Sequence, residues 1–451
     1  MIDQATIAVN RFGLGGRPGE IAAVGGLPAD YLLAQLDRAP RVSGPELPDT
    51  AEAITAFREF RRQRRKELAS GDTGKTGTMM SSNSPRRIYN AEVRARIQTF
   101  VETDTPFAER LCLFWANHFA VSAASPPIAA MAGAFEREAI RPHITGNFAD
   151  MVLASTANPG MLLYLDNANS IGPNSRAGRR RNRGLNENLA RELLELHTLG
   201  VDGGYDLDDI RELAMAITGW SLAGPKTTRA RMGTFVFRRG AHEPGTRNVM
   251  GESYRNTGSV AQGQRVLNDL AQHPSTARHI AFKLAQHFIA DAPDRDLVAT
   301  MERAYLQNRG ELMPVYTAML SHPTAFRPAP MKFKTPVDYM ASVARGLQVD
   351  RNYQFWSRGL VVMGQRLWGP PSPKGWPDTR KRWVSSDALK TRLDFAVAVG
   401  RKMRTNFDVQ QRATDMLGAS LDRDTEIAIS RAADQSQALA LLLMSPEFQK
   451  R

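Results

Sequence analysis

In NENLARELLELHTLG (186–200), Glu187, Asn188, Arg191, Glu192 and Glu195 cover one arc of a helix beside a Leu189, Leu193 and Leu196 face. Three carboxylates and a guanidinium on such an arc suit two chemistries: binding a divalent cation, or holding a proton at a shifted pKa for acid/base work. A plainer explanation competes, because Glu187, Arg191 and Glu195 stand at i, i+4 and i+8 and form an ion-pair ladder that needs no function. In MLLYLDNANS (161–170) an apolar run stops at Asp166 and Asn167, which either line a site or make an Asx turn. FWANHF (114–119) sets Asn117 and His118 beside three aromatics at the end of an apolar helix, where His118 is either a satisfied core residue or an acid or ligand. His242 and Glu243 stand in a turn-rich stretch, and an imidazole there suits a nitrogen ligand or a proton shuttle as well as a turn. The expected catalytic set is therefore His118, Asp166, Glu187, Arg191 and His242, with His118, Asp166, Glu187 and Glu192 as ligands for a divalent metal. Neither Glu-x-x-His nor His-Glu-x-x-His spacing accompanies them. Lys332, Lys334 and Gln365 are candidates for anion contacts by position alone.

Other chemistries find less support. There is no Gly-x-Ser-x-Gly elbow, and the single cysteine, Cys112, lies on an apolar helical face where thiols are inert. Covalent catalysis is not suggested. ASGDTGKT (69–76) has P-loop spacing with Ala69 for the first glycine, but a phosphate cradle needs a buried strand before it and a helix after it. Arg58–Leu68 carries six basic residues and no β-branched one, and 77–85 is rich in turn formers, so the match is accidental. The basic clusters 58–66 and 175–184 carry much of the +13 net charge and suit an acidic partner in general terms. The second is broken by glycine and lacks aromatics for base stacking, which makes a nucleic-acid groove unlikely.

Elements that position these groups read as helices between Gly/Pro loops. DTPFAERLCLFWANHFA (104–120) has a capping residue, a proline at the first helical position and apolar spacing of three and four. Further helices are predicted over 185–199, 207–218, 259–272, 275–290, 311–321, 336–347, 387–403 and 435–444. The β signal lies in 233–254, with TFVF as one hairpin arm and Glu243, Pro244 and Gly245 as the turn. Residues 364–383 are too rich in proline for either state, and Trp368 and Trp376 favour an ordered loop. The expected fold is mainly α: one multi-helix globular body over 1–451, with long Gly/Pro loops, a small β-hairpin and a flexible inserted loop at 69–85.

A chain of 451 residues, 42% hydrophobic and 23% charged, holds a large core. One cysteine excludes an internal disulfide framework and a cysteine-based zinc site. The N-terminal stretch lacks a basic segment followed by an apolar one, and the longest apolar run, 438–444, is far short of the ~20 residues of a membrane span. The default expectation is a cytoplasmic protein with no membrane span.

RFGLGGRPGE, FWANHF, MLLYLDNANS, NENLARELLELHTLGVDGGYDLDDIRELAMAITGW, HPSTARHIAFKLAQHF, MGQRLWGPPSPKGWPDTRKRW and LLLMSPEFQ, in this order over about 10–448, resemble the bacterial family known as domain of unknown function number 1800. The resemblance implies that Trp115, Asn117, His118, Asp166, Asn167, Asn186, Glu187, Arg191, Glu192, Glu195, His242, Gln365 and Trp376 fall in recurrent family motifs. His197 departs, since an aromatic is more usual there, and Glu243 stands where aspartate is usual. The resemblance further implies a partner, because members are often encoded beside a family numbered 1501 that is similar to exported sulfatase-like or phosphatase-like proteins. Export with such a partner makes a periplasmic location the alternative. The leading functional expectation is a metal-assisted hydrolase or transferase acting on a sugar or phosphate ester, with Arg191 holding an anionic group. A non-enzymatic partner or assembly factor for the 1501 neighbour is the alternative, and a nucleic-acid binder the third.

Overall fold

Prolines mark where many of the helices begin. Pro85, Pro106, Pro126, Pro274 and Pro336 each occupy the first turn of a helix, where a fixed φ is already helical and the missing N–H has no partner to lose. The computed structural model describes residues 3–69, 84–181, 184–328, 332–349, 353–403 and 407–451. Over these residues the chain is mainly α-helical, with two small antiparallel two-stranded sheets.

Most predicted helices appear within a residue or two of their expected ends: Ala261–Gln272, Pro274–Phe288, Leu312–Ser321, Pro336–Gly346, Ser386–Lys402 and Gln435–Met444. The 185–199 segment differs. It is α-helical only over Asn188–Glu192 and continues as a π-helical turn, Leu193–His197. The wider turn inserts one residue, so His197 rotates into the interior although an unbroken helix was expected. The helix Thr50–Ala69 occupies the place where a P-loop needs a buried strand, and its arginines, Arg61, Arg62, Arg64 and Arg65, are exposed. The inserted loop expected at 69–85 falls on 70–83, outside the described residues.

The β region is built differently from expectation. Phe235–Phe237 pairs back onto Trp220–Leu222, Trp220 opposite Phe237, and does not pair across Glu243–Gly245. A separate hairpin joins Arg247–Val249 to Glu252–Tyr254. Its two-residue turn is Met250-Gly251, both at positive φ, the geometry that matches the twist of the strands.

One hydrophobic core extends from Ile7 to Phe448. Through it runs the Pro106–His118 helix, buried on almost every side. A helix with no solvent face must still place its charges, and Glu109 and Arg110 do so by pairing. Glu109 accepts from Arg141 Nη2 at 2.8 Å and Arg96 Nη1 at 3.3 Å, and Arg110 Nη1 donates to Asp338 at 2.8 Å. Arg345 makes a two-point contact with Glu20, at 2.6 and 3.2 Å. Ions taken out of water lose hydration worth several kcal/mol, so such groups persist only where a partner offsets that loss. No described helix is long and apolar enough to cross a membrane.

Candidate functional site

Several elements far apart in sequence line a cavity of about 90 Å3, three of them with the groups that matter here. The end of the central helix contributes Asn117, the end of Pro274–Phe288 contributes His287, and the 364–383 loop contributes Trp368, Trp376 and Asp378. The segment is ordered as expected but ends in a short helix, Arg380–Trp383, where only loop was expected, and its loop part is held by backbone and side-chain clips. Ala123 N donates to Trp368 O at 2.6 Å, Ser122 Oγ to Pro370 O at 2.8 Å, and Tyr89 OH to Leu367 O at 2.8 Å. Asn117 locks the tip: its Nδ2 donates to Trp376 O at 2.9 Å while its Oδ1 accepts from Trp376 N at 2.7 Å. Gly375 makes this approach possible, because its φ of +84° is left-handed and a Cβ there would collide with the Asn117 carbonyl. Gly375→Ala is expected to cost about 1–3 kcal/mol and loosen Trp376, measured by denaturant unfolding and tryptophan fluorescence.

Within this frame His287 Nδ1 lies 2.7 Å from Asp378 Oδ2. A carboxylate only accepts, so Nδ1 carries the proton and the neutral ring presents a lone pair at Nε2. That Nε2 is buried and has no hydrogen-bond partner, and neither has the indole Nε1–H of Trp376. Burial lowers the His287 pKa below 6.5, against the pull of Asp378. Burial also works against the Asp378 carboxylate, but His287, Lys332 and Arg451 overcome it and hold the group down at about 2. Lys332 donates to Asp291 Oδ1 at 2.8 Å and to the Asp378 carbonyl, and Arg451 Nη2 stands 3.9 Å from Asp378 Oδ1. Behind them Asp338 is clamped between Arg110 at 2.8 Å and Arg451 at 3.1 Å. The result is an imidazole that is neutral at physiological pH, oriented by an ionised carboxylate and without a partner at its second nitrogen.

A model of the family described as protein of unknown function (DUF1800) matches residues 7–450. The chain belongs to this family. No curated protein and no solved structure gives a match.

The residues expected to form the DUF1800 site are distributed differently. His118 is fully buried, with Nε2 3.1 Å from the His197 carbonyl and Nδ1 2.9 Å from Lys283 Nζ. Asp166 is exposed and left-handed, φ +60°, at the head of a short 3-10 turn. Its neighbour Asn167 does the structural work of that motif, donating from Nδ2 to Ile217 O at 3.3 Å and Trp220 O at 3.4 Å. Glu187 and Arg191 form a loose pair at 3.9 Å with about two fifths of each side chain in water. Glu192 is half-buried, and burial followed by repulsion from Glu195 raises its pKa. His242 is buried with Nδ1 3.0 Å from Thr218 O, and Glu243 accepts from Asn174 N at 2.9 Å and Nδ2 at 2.7 Å, tying down the arginine-rich loop. Among the described residues no three His, Cys, Asp or Glu side chains gather as metal ligands, so His118, Asp166, Glu187 and Glu192 do not converge on one ion. Gln365 accepts from Val337 N at 2.8 Å, and buried Lys334 sits 4.1 Å over the Phe448 ring with its pKa lowered by burial to about 7.

Solvent screening and side-chain entropy leave a pair such as Glu187–Arg191 worth a few tenths of a kcal/mol. Glu187→Ala and Arg191→Ala are each expected to change stability by less than about 0.5 kcal/mol, read from chemical denaturation midpoints.

His287 and Asp378 were missed by the sequence reading, although both lie in quoted segments. Their signal was the one that singled out FWANHF: in AQHF a polar ring also ends an apolar helix beside an aromatic.

Proposed function

We propose that this DUF1800 chain is a hydrolase or transferase that cleaves an ester or phosphate ester, with His287 as general base. One observation carries the reading: a hydrogen-bond acceptor, His287 Nε2, and a donor, Trp376 Nε1–H, both buried and both unsatisfied, belong to residues lining one small cavity. Buried polar atoms are nearly always partnered, and these orphans, with Arg96 Nε as a further donor in the lining, match a ligand that both donates and accepts. Water or a substrate hydroxyl fits that description. In the proposed step His287 Nε2 takes the proton as the oxygen attacks a carbonyl carbon or phosphorus, the indole N–H stabilises the oxygen that gains charge, and the ester C–O or P–O bond then breaks as the imidazolium gives its proton to the departing alkoxide. Asp378 keeps the proton on Nδ1 and stabilises the imidazolium that forms. The attacking group is not a cysteine, since Cys112 is fully buried with its thiol pKa pushed far up by burial.

The test is turnover of a panel of chromogenic carboxylic esters, phosphate monoesters and diesters, and glycosides by wild-type protein and by His287→Gln. Hydrolysis of one class by the wild type and its loss in the variant is the expected outcome. Equal rates for the two proteins, or no turnover in any class, removes the reading.

The base must be unprotonated, so activity falls as pH drops through the His287 pKa. Because burial holds that value below 6.5, the acid limb of kcat/KM against pH is expected below 6.5. An acid limb above pH 7 contradicts the assignment.

A further inference from the structure

On the Pro274–Phe288 helix His279, Lys283 and His287 recur every four residues and share one face. His287 serves the cavity, and Phe114, 5.3 Å from its ring and 6.3 Å from that of His118, separates it from a second cluster. That cluster is Lys283 with three imidazoles, His118, His197 and His279, whose rings stand 6.0 and 6.1 Å from the ring of His118. Lysines near a protein surface ordinarily point at water or a carboxylate. Among the described residues Lys283 instead has His118 Nδ1 as its hydrogen-bond partner, at 2.9 Å.

The tautomer of His118 is fixed by its other nitrogen. Nε2 lies 3.1 Å from the His197 carbonyl, which only accepts, so the ring proton is on Nε2 and the Nδ1 lone pair faces the lysine. His279 is oriented likewise, its Nε2 3.2 Å from the Leu196 carbonyl. Lys283 is therefore an amine beside a preset proton acceptor, and it is partly exposed while His118 is not. The charged groups that face it are Asp378, which favours the ammonium form, and Lys374, which disfavours it along with burial. Burial is the largest influence and brings Lys283 down to about 8.

We propose that Lys283 is a nucleophilic amine that captures a 2-oxo acid as an imine, with His118 as its proton relay. In the neutral form the Nζ pair attacks the ketone or aldehyde carbon, the C–N bond forms, and the carbonyl π pair moves to oxygen, which takes a proton from water. His118 Nδ1 accepts a proton from the nitrogen and returns it to the carbinolamine hydroxyl. The C–O bond then breaks, water leaves, and an iminium C=N bond remains, its charge balanced by the hydroxide left when the oxygen took its proton from water; no electrons are gained or lost overall. An anionic electrophile is specified because Lys374, exposed on the adjoining loop, adds positive charge at the approach.

The experiment uses the full chain, glyoxylate as the carbonyl probe and cyanoborohydride to trap the imine, with sites mapped by mass spectrometry. At pH 8 Lys283 is expected to be labelled at least about 10-fold faster than exposed Lys226 and Lys390, because a far larger fraction of it is neutral. The labelling rate of Lys283 is expected to reach half its plateau near pH 8. Labelling no faster than Lys226 overturns the proposal. In His118→Gln, checked for folding by circular dichroism, the advantage is expected to disappear, and its retention overturns the relay. If that variant does not fold, the wild-type comparison decides alone. Labelling needs no ester turnover, so its failure and the failure of the His287 reading are separate results.

Discussion

Acidification from pH 7 to pH 4 is expected to unfold this protein, before its buried carboxylates Asp338 and Asp378 are protonated. Four histidines are held neutral in the interior. His197 is lowered to about 3 and His279 to about 4, with His118 well below 6.5 and His287 also lowered. Burial is the first cause in each. Lys283 is the second for His118, His197 and His279, and repulsion from the other histidines follows for His118 and His197. The sign follows from which state binds the proton. As pH falls through 6.5 the unfolded chain takes up protons that the folded chain refuses, so the unfolded state gains up to about 1.4 kcal/mol per pH unit per site. Over 6.5 to 4, His197 and His279 each remove on the order of 3 kcal/mol, His118 and His287 act in the same direction, and the total is a large share of a domain's whole stability. The sites repel one another, so the sum is not strictly additive. Asp338 and Asp378 are depressed below 3.8 and contribute stability that is lost only at lower pH, which keeps the two effects apart. Far-UV circular dichroism against pH is the measurement, with His279→Gln as control, expected to move the midpoint to lower pH. A native spectrum at pH 4 sinks the argument.

The helical body was legible because its signals are local. A capping residue, proline at the first turn and apolar spacing placed most helix ends without reference to the rest of the chain, and the structure adds capping boxes at Asp206 and Thr335. The same localness explains what misled. Glu187, Arg191 and Glu195 stood out because their spacing is visible within ten residues, and such spacing most often describes a solvated face, as the 3.9 Å Glu187–Arg191 pair is. His287 and Asp378 are 91 residues apart, Arg345 and Glu20 are 325 apart, and no pattern within one segment pairs them. Lys283 is another such case, 165 residues from His118, and nothing in AFKLAQHF distinguishes it from a solvated helix lysine. The π-helical turn was hidden for another reason: one inserted residue leaves the apolar count of NENLARELLELHTLG unchanged while rotating His197 inward. Asn117, which stood out in FWANHF as a polar residue among aromatics, is half-buried and does structural work: its bond to Trp376 builds the cavity that His287 lines.

Replacing either member of the His287–Asp378 pair is expected to reduce kcat sharply, by different routes. His287→Gln removes the unpartnered ring nitrogen assigned as the base, and loss of a positioned general base costs about 10²- to 10⁴-fold. Asp378→Asn leaves the shape almost unchanged but turns an acceptor into a possible donor. The amide N–H then bonds to an unprotonated Nδ1, which moves the ring proton to Nε2, where it blocks proton abstraction. A loss of about 10²-fold or more is expected in kcat, with KM little altered, because the substrate contacts stay in place. Asp378 also faces Lys332 and Arg451, so its replacement weakens the fold, and the two effects must be told apart. The pH profile does this: with the carboxylate gone, the imidazolium loses its partner and the acid limb of any residual activity moves to lower pH. A purely structural role for Asp378 predicts lower stability with no movement of that limb. Turnover in His287→Gln within about threefold of wild type, on a substrate the wild type cleaves, refutes the assignment of the base.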